Sequence, residues 1–202
     1  MATLAYNSTN IATIWGYHQP MIVRSGERVY CALLEAHGDG FAQHWSLYAR
    51  DQGGWRRLWS SPTGPQLNQP PSLVADAGGN LHVFAWPDGV FTHWRFASGA
   101  AGLAAEPEVV RPPSPYNDLW PYAAAATNAR GDVLVVASSY PQNLLALRAD
   151  LTGTWQRGVV ADHPLRPDSP SGYDRQAYPF VALAGSQAHV FTTQDIADSA
   201  KI

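Results

Sequence analysis

The chain has 202 residues, of which only 14% are charged, and carries a formal net charge of −3. That balance excludes a broad electrostatic attraction to nucleic acid or to an anionic membrane surface, and no apolar run approaches the ~20 residues that a membrane-spanning helix needs. Eleven per cent aromatic residues beside 17 Gly and 16 Pro suit short strands and tight turns, and suit long amphipathic helices badly.

In chain order, the first predicted elements are two strands within residues 3–16, since Leu4 to Trp15 can be laid over Leu47 to Trp59. A unit over 20–62 follows. It opens at Pro20, turns at Ser25 and Gly26, begins its second strand at Val29 and its third at His44-Trp45, and ends in Trp55 to Trp59. Cys31 lies in the second strand, in an apolar run from Val29 to Leu34. As the only cysteine it excludes an internal disulfide, and its setting predicts a small buried side chain.

The next unit, 70–111, repeats these landmarks with Pro71, a turn at Gly78-Gly79-Asn80, a strand from Leu81 and a second His-Trp pair at His93-Trp94. The unit over 121–161 opens at Pro121, turns at Arg130-Gly131-Asp132 and continues from Val133, with its last strand after Trp155. A fourth, over 178–194, shows Pro179 and a strand from Ala188, then gives way to a polar tail. The second strands start at Val29, Leu81, Val133 and Ala188, spaced 52, 52 and 55 residues apart. Proline is tolerated at the first residue of a strand, and Gly beside a polar residue between β-prone runs marks a hairpin. Four strands per unit at a fixed period predict a single all-β domain over 1–202, a β-propeller of about four blades or a fragment of a larger one. In the first reading residues 3–16 complete the blade begun at 178–194. In the second, exposed blade faces lead to self-association.

Two segments, Asp51-Gln52-Gly53-Gly54-Trp55 and Asp150 to Trp155, fall between third and fourth strands. They resemble degenerate Asp boxes, the BNR repeats of sialidase-like β-propellers. The middle unit lacks the box, and Ala49 and Arg148 stand near the motif's usual Ser. The Asp of such a turn accepts hydrogen bonds from its own backbone, so Asp51 and Asp150 read as structural. No catalytic residue of that family can be transferred: its Arg-Ile-Pro segment is absent, and Arg24 is no match. The catalytic set is therefore unassigned, and whether the chain is an enzyme stays open.

A propeller gathers its functional groups on loops that enter each blade and on loops between second and third strands. Those loops hold His18, Glu35, Tyr116, Asp118, Trp120, Tyr173 and Arg175, which form the expected substrate-binding set. Aromatic faces beside carboxylates suit sugars. The strand histidines His44, His82, His93 and His189 sit at repeated positions and lack zinc-site spacing, so packing roles are expected and no metal or other cofactor. The expected function is a carbohydrate-binding or sialidase-like propeller, non-catalytic as it stands. The alternatives are a glycoside hydrolase of the sialidase-like class and a protein-interaction scaffold. Carbohydrate is the expected partner, with nucleic acid and membrane excluded. The opening residues, Met1 to Tyr6, lack the basic and apolar regions of a signal peptide, which places a complete chain of this sequence in the cytoplasm.

Overall fold

The structure, a computed structural model, describes residues 20–37, 42–64, 70–87, 90–99, 102–110, 122–139, 142–148, 153–162 and 176–194. Fourteen strands occupy them. The first sheet holds β1 (Ile22–Ser25), β2 (Arg28–His37), β3 (Ala42–Asp51) and β4 (Gly54–Ser60). The second holds β5 (Ser72–Ala75), β6 (Leu81–Ala85), β7 (Thr92–Phe96) and the short β8 (Glu108–Val109). The third holds β9 (Tyr122–Thr127), β10 (Val133–Ser139), β11 (Gln142–Arg148) and β12 (Gln156–Asp162). A two-stranded sheet of β13 (Gln176–Ala184) and β14 (Gln187–Gln194) completes the described fold. Within each sheet the strands pair antiparallel in sequence order, as hairpin connections require.

The sheets are joined through their first strands. β1 runs beside β5, β5 beside β9 and β9 beside β13. The amide of Leu73 donates to the carbonyl of Pro20, and Thr127 Oγ1 donates to the carbonyl of Ala75 at 2.6 Å. First strands grouped together with later strands fanning outward are the arrangement of propeller blades.

Each interface between blades buries one face from each side. Tyr30, Ala32, Leu34, Trp45, Leu47 and Ala49 of the first blade meet Leu73, Leu81, Val83, Ala85, Trp94 and Phe96 of the second. The opposite face of the second blade, through Val74, Phe84, Trp86 and Phe91, meets Ala123, Ala125, Val133, Val135, Ala137 and Trp155 of the third. A strand buried on both faces reads as a continuous apolar run, which is why the period-2 signal is weak in β6 and β10.

This packing corrects one sequence equivalence. His44-Trp45 and His93-Trp94 are not matching positions. Trp45 points forward into the second blade, whereas Trp94 points back into the first. Val29 pairs with Arg50, and its counterpart Leu81 pairs with Phe96. Register therefore matches Tyr48 with Trp94, and Leu47 with His93. Trp45 lies 16 residues after Val29 and Trp94 lies 13 after Leu81, so the His-Trp pair is offset by three residues between the two blades, and an odd offset puts it on the opposite face of the sheet. The proline landmark keeps its phase: Val23 and Val74, each three residues after a proline, both face the following blade.

The turns follow local chemistry. Asp51 Oδ1 accepts the amide of Gly53 at 2.8 Å in the hairpin between β3 and β4, the structural use expected of it. Asp150 lies outside the described residues, as do 3–16. Between first and second strands, Asp76 accepts the backbone amide and side-chain amide of Asn80, both at 2.8 Å. The third blade builds the same loop with the pair reversed, Asn128 Oδ1 accepting the amide of Asp132 at 3.0 Å. Gly79 takes φ +81 there, a conformation that favours glycine. Tyr178 is the one non-glycine residue described with positive φ, at 52°; it sits at a bulge and packs against Tyr122 with ring centroids 4.5 Å apart and planes tilted by 46°.

Candidate functional site

Of the seven expected binding residues, Glu35 lies within the described structure. His18, Tyr116, Asp118, Trp120, Tyr173 and Arg175 lie outside the described residues. Glu35 stands near the end of β2, on the face of the first blade turned away from the second. Register places His44 opposite it, with Ser46 and Tyr48 further along β3 on the same face.

These side chains converge on the carboxylate. Tyr48 OH donates to Oε1 at 2.6 Å, Ser46 Oγ donates to Oε2, and His44 Nε2 lies 3.0 Å from Oε2. Ser46 Oγ is also 2.8 Å from Ser60 Oγ of β4. Since Ser46 spends its single proton on Glu35, Ser60 is the donor in that contact. Ser46 is fully buried and the Glu35 side chain is 27% exposed, so the carboxylate lies at the border between a dry interior and water.

The electrostatics follow from these contacts. Burial pushes the Glu35 carboxyl up, but the Ser46 and Tyr48 hydroxyls, with the charges of His44 and Arg57, outweigh it and hold the group below its ordinary range. Tyr48 moves the other way. Burial, then its hydrogen bond to Glu35 and that residue's negative charge, push the phenol up to about 12. The site is thus an ionised carboxylate fixed by three neutral or cationic neighbours. Such a group accepts hydrogen bonds, and it is poorly suited to donate a proton as a general acid, which needs a raised pKa.

The sequence reading missed His44, Ser46, Tyr48 and Ser60. The signal was present in the alternation of β3, where His44, Ser46 and Tyr48 share one face against Trp45, Leu47 and Ala49 on the other. Among the described residues, no group of three or more His, Cys, Asp or Glu side chains is arranged to hold a metal. No described helix is long and apolar enough to cross a membrane.

No protein family model matches the chain, and no curated protein matches it in sequence. In structure the chain is similar to a mutant of the GH43 protein BlXynB from Bacillus licheniformis, with a TM-score of 0.51 and 11% identity. The match covers 86% of this chain and 36% of that one, so the chain spans little more than a third of that protein's length. At such identity the likeness is one of fold. With the fanned four-stranded sheets, it defines an all-β protein of β-propeller architecture.

Proposed function

We propose that this chain is a carbohydrate-binding β-propeller that does not itself cleave glycosidic bonds. The observation that carries this reading is the shared fold with a GH43 protein, a designation of glycoside hydrolases, over 86% of the chain. The segments that the sequence assigns to the rim, with Tyr116, Asp118, Trp120, Tyr173 and Arg175, support it. Glu35 adds a specific chemistry. An ionised carboxylate offers about four acceptor positions, and three donors reach this one: Tyr48, Ser46 and His44. The remaining lone pair on Oε1 suits a sugar hydroxyl. The finer kinship, to sialidase-like Asp-box propellers, is supported by the Asp51 turn between third and fourth strands.

The test is binding measured by calorimetry against a panel of neutral and acidic oligosaccharides, alongside turnover of fluorogenic glycosides. Saturable binding without turnover, weakened by Trp120→Ala and Glu35→Gln, is the expected result. The same fold likeness favours a second reading, a glycoside hydrolase. Turnover abolished by Asp118→Ala or Tyr173→Phe would establish that reading in place of the first. Retention of a protein partner with no affinity for any glycan would overturn both.

A further inference from the structure

Between the second and third blades lies a line of four titratable groups that the binding reading does not use. His82 is fully buried on β6 and His93 is buried on β7. His82 Nε2 is 3.3 Å from Asp76 Oδ2, and His82 Nδ1 is 2.9 Å from His93 Nε2. His93 Nδ1 is 3.7 Å from Glu108 Oε2. The order is carboxylate, imidazole, imidazole, carboxylate. The two rings lie within 16° of a common plane, so an N–H of one points along the lone pair of the other.

Proton counting limits what this line can be. A neutral imidazole has one N–H and one lone pair. If Asp76 is ionised, His82 donates from Nε2 and accepts at Nδ1. His93 must then donate from Nε2, which turns a lone pair on Nδ1 toward Glu108. With both rings neutral and Glu108 ionised, that end sets a lone pair against a negative charge. One added proton on His93 Nδ1 makes every step of the line a donor facing an acceptor, and leaves one imidazolium between two carboxylates.

The surroundings favour one proton and oppose two. Phe84 stacks on the His93 ring at 4.7 Å and 11°, and Trp155 of the third blade stands edge-on to it at 5.6 Å. A cation over an aromatic face gains from the ring quadrupole, and more so where water is excluded. Arg95 pairs with His82 in the register and faces the same side of the blade, so its charge disfavours a second proton near His82. Around Trp155 the third blade supplies Ala123, Ala125, Val133 and Val135. In the loop of that blade equivalent to the Asp76 turn, the charged groups Arg130 and Asp132 are paired with each other at 2.6 Å.

We propose that His82 and His93 form a single proton-binding site, the proton held at His93 Nδ1 against Glu108, on the face of the second blade that packs against the third. The site takes up one proton for two histidines.

The experiment is nitrogen-detected NMR of the imidazoles in the intact chain as pH is lowered from 9 to 5, with His93→Gln used to assign the two rings. Above the transition both rings are expected as the Nε2–H tautomer. On acidification His93 gains a second N–H while His82 stays neutral. In Glu108→Gln, a change at a partly exposed side chain, the uptake is expected to need at least about tenfold more protons, since an opposite charge at this range favours the charged form by one or more pH units. Independent protonation of both rings, no uptake in the folded protein, or uptake unchanged in Glu108→Gln would each overturn the proposal.

Discussion

Trp45 meets Trp94 edge-on across the interface between the first two blades, with ring centroids 5.1 Å apart at 74°. Trp59 at 4.6 Å from Trp45, and Phe96 at 6.2 Å, complete the cluster. Offset and edge-on geometries are those that the ring quadrupole favours. Trp45 is fully buried, so Trp45→Ala is expected to cost about 3–5 kcal/mol. A double-mutant cycle with Trp94→Phe should show a coupling of about 0.5–1.5 kcal/mol. Urea unfolding followed by tryptophan fluorescence and circular dichroism measures both. An additive cycle would mean that the two rings touch without contributing jointly.

That cluster also shows how far sequence could lead. Pro20 and Pro71 stand just ahead of β1 and β5, where a missing N–H costs least, whereas Pro179 falls inside β13 at its bulge, the other place in a strand that admits proline. The repeated His-Trp pair is a coincidence of composition. A residue's distance along its strand sets which face it takes, and an offset of three residues is invisible to a period of about fifty. Four-stranded blades were therefore legible, and the partners of each aromatic ring were not. The sequence singles out Glu35 as a residue of the loop between second and third strands, and the structure places it instead within β2, paired with His44. Its fixing by Tyr48 and Ser46 depends on β2 and β3 pairing in one register among several that the sequence allows.

Gly79 should tolerate no side chain. Its φ of +81° is unfavourable for an L-residue, and an added Cβ would lie 2.8 Å from Ser98 Oγ and 3.2 Å from Ser25 Oγ of the first blade. Gly79→Ala is expected to destabilise by about 1–3 kcal/mol. Gly26 also has positive φ, at +60°, but an added Cβ there meets nothing within 4 Å. Gly26→Ala should cost less, and comparing the two midpoints of thermal unfolding separates contact from backbone strain.

Tyr48→Phe removes a hydroxyl that donates to an ionised carboxylate at 2.6 Å. Hydrogen bonds to charged groups contribute about 1.5–3 kcal/mol, which sets the expected loss at neutral pH. The folded phenol is raised to about 12, above the ordinary value near 10. Its contribution is therefore complete below about pH 10 and lost as pH rises through 12. Wild-type and variant stabilities should converge over that interval. A constant difference between pH 8 and 12 would show that Tyr48 acts through packing alone.

Cys31 is buried, and burial pushes its thiol up to about 11. The thiolate is the reactive form, so both access and ionisation oppose modification. A disulfide reagent at pH 8 should label the folded chain far more slowly than the urea-unfolded chain. Ligand-independent, rapid labelling under native conditions would place this strand at an opening region of the fold.

Asp76 links a turn to a buried histidine, and its removal should show in the acid limb of stability. Burial pushes its carboxyl up, but the side chain and backbone of Asn80, then His82, outweigh that and hold it below its ordinary range. A depressed carboxylate stabilises above its unfolded pKa and loses that contribution as pH falls through the lower folded value. Asp76→Asn keeps the shape of the side chain and can still accept from the Asn80 amide, but its NH2 replaces one acceptor facing Asn80 Nδ2 or His82 Nε2. One donor then faces another in a buried setting, a cost of about 1–3 kcal/mol at pH 7. The penalty should shrink only in more acidic solution than an ordinary carboxylate would need, as the wild-type carboxyl itself takes a proton. The mirrored change Asn128→Asp in the third blade tests whether the loop alone sets this behaviour. There Asn128 Nδ2 donates to Gly185 O at 2.7 Å and to Asp132 Oδ2 at 2.6 Å. Aspartate at 128 would set a carboxylate against both acceptors, so that variant is expected to lose stability at neutral pH and to regain part of it on acidification. A penalty in Asn128→Asp that stays constant with pH would mean that the new carboxylate does not face those two acceptors.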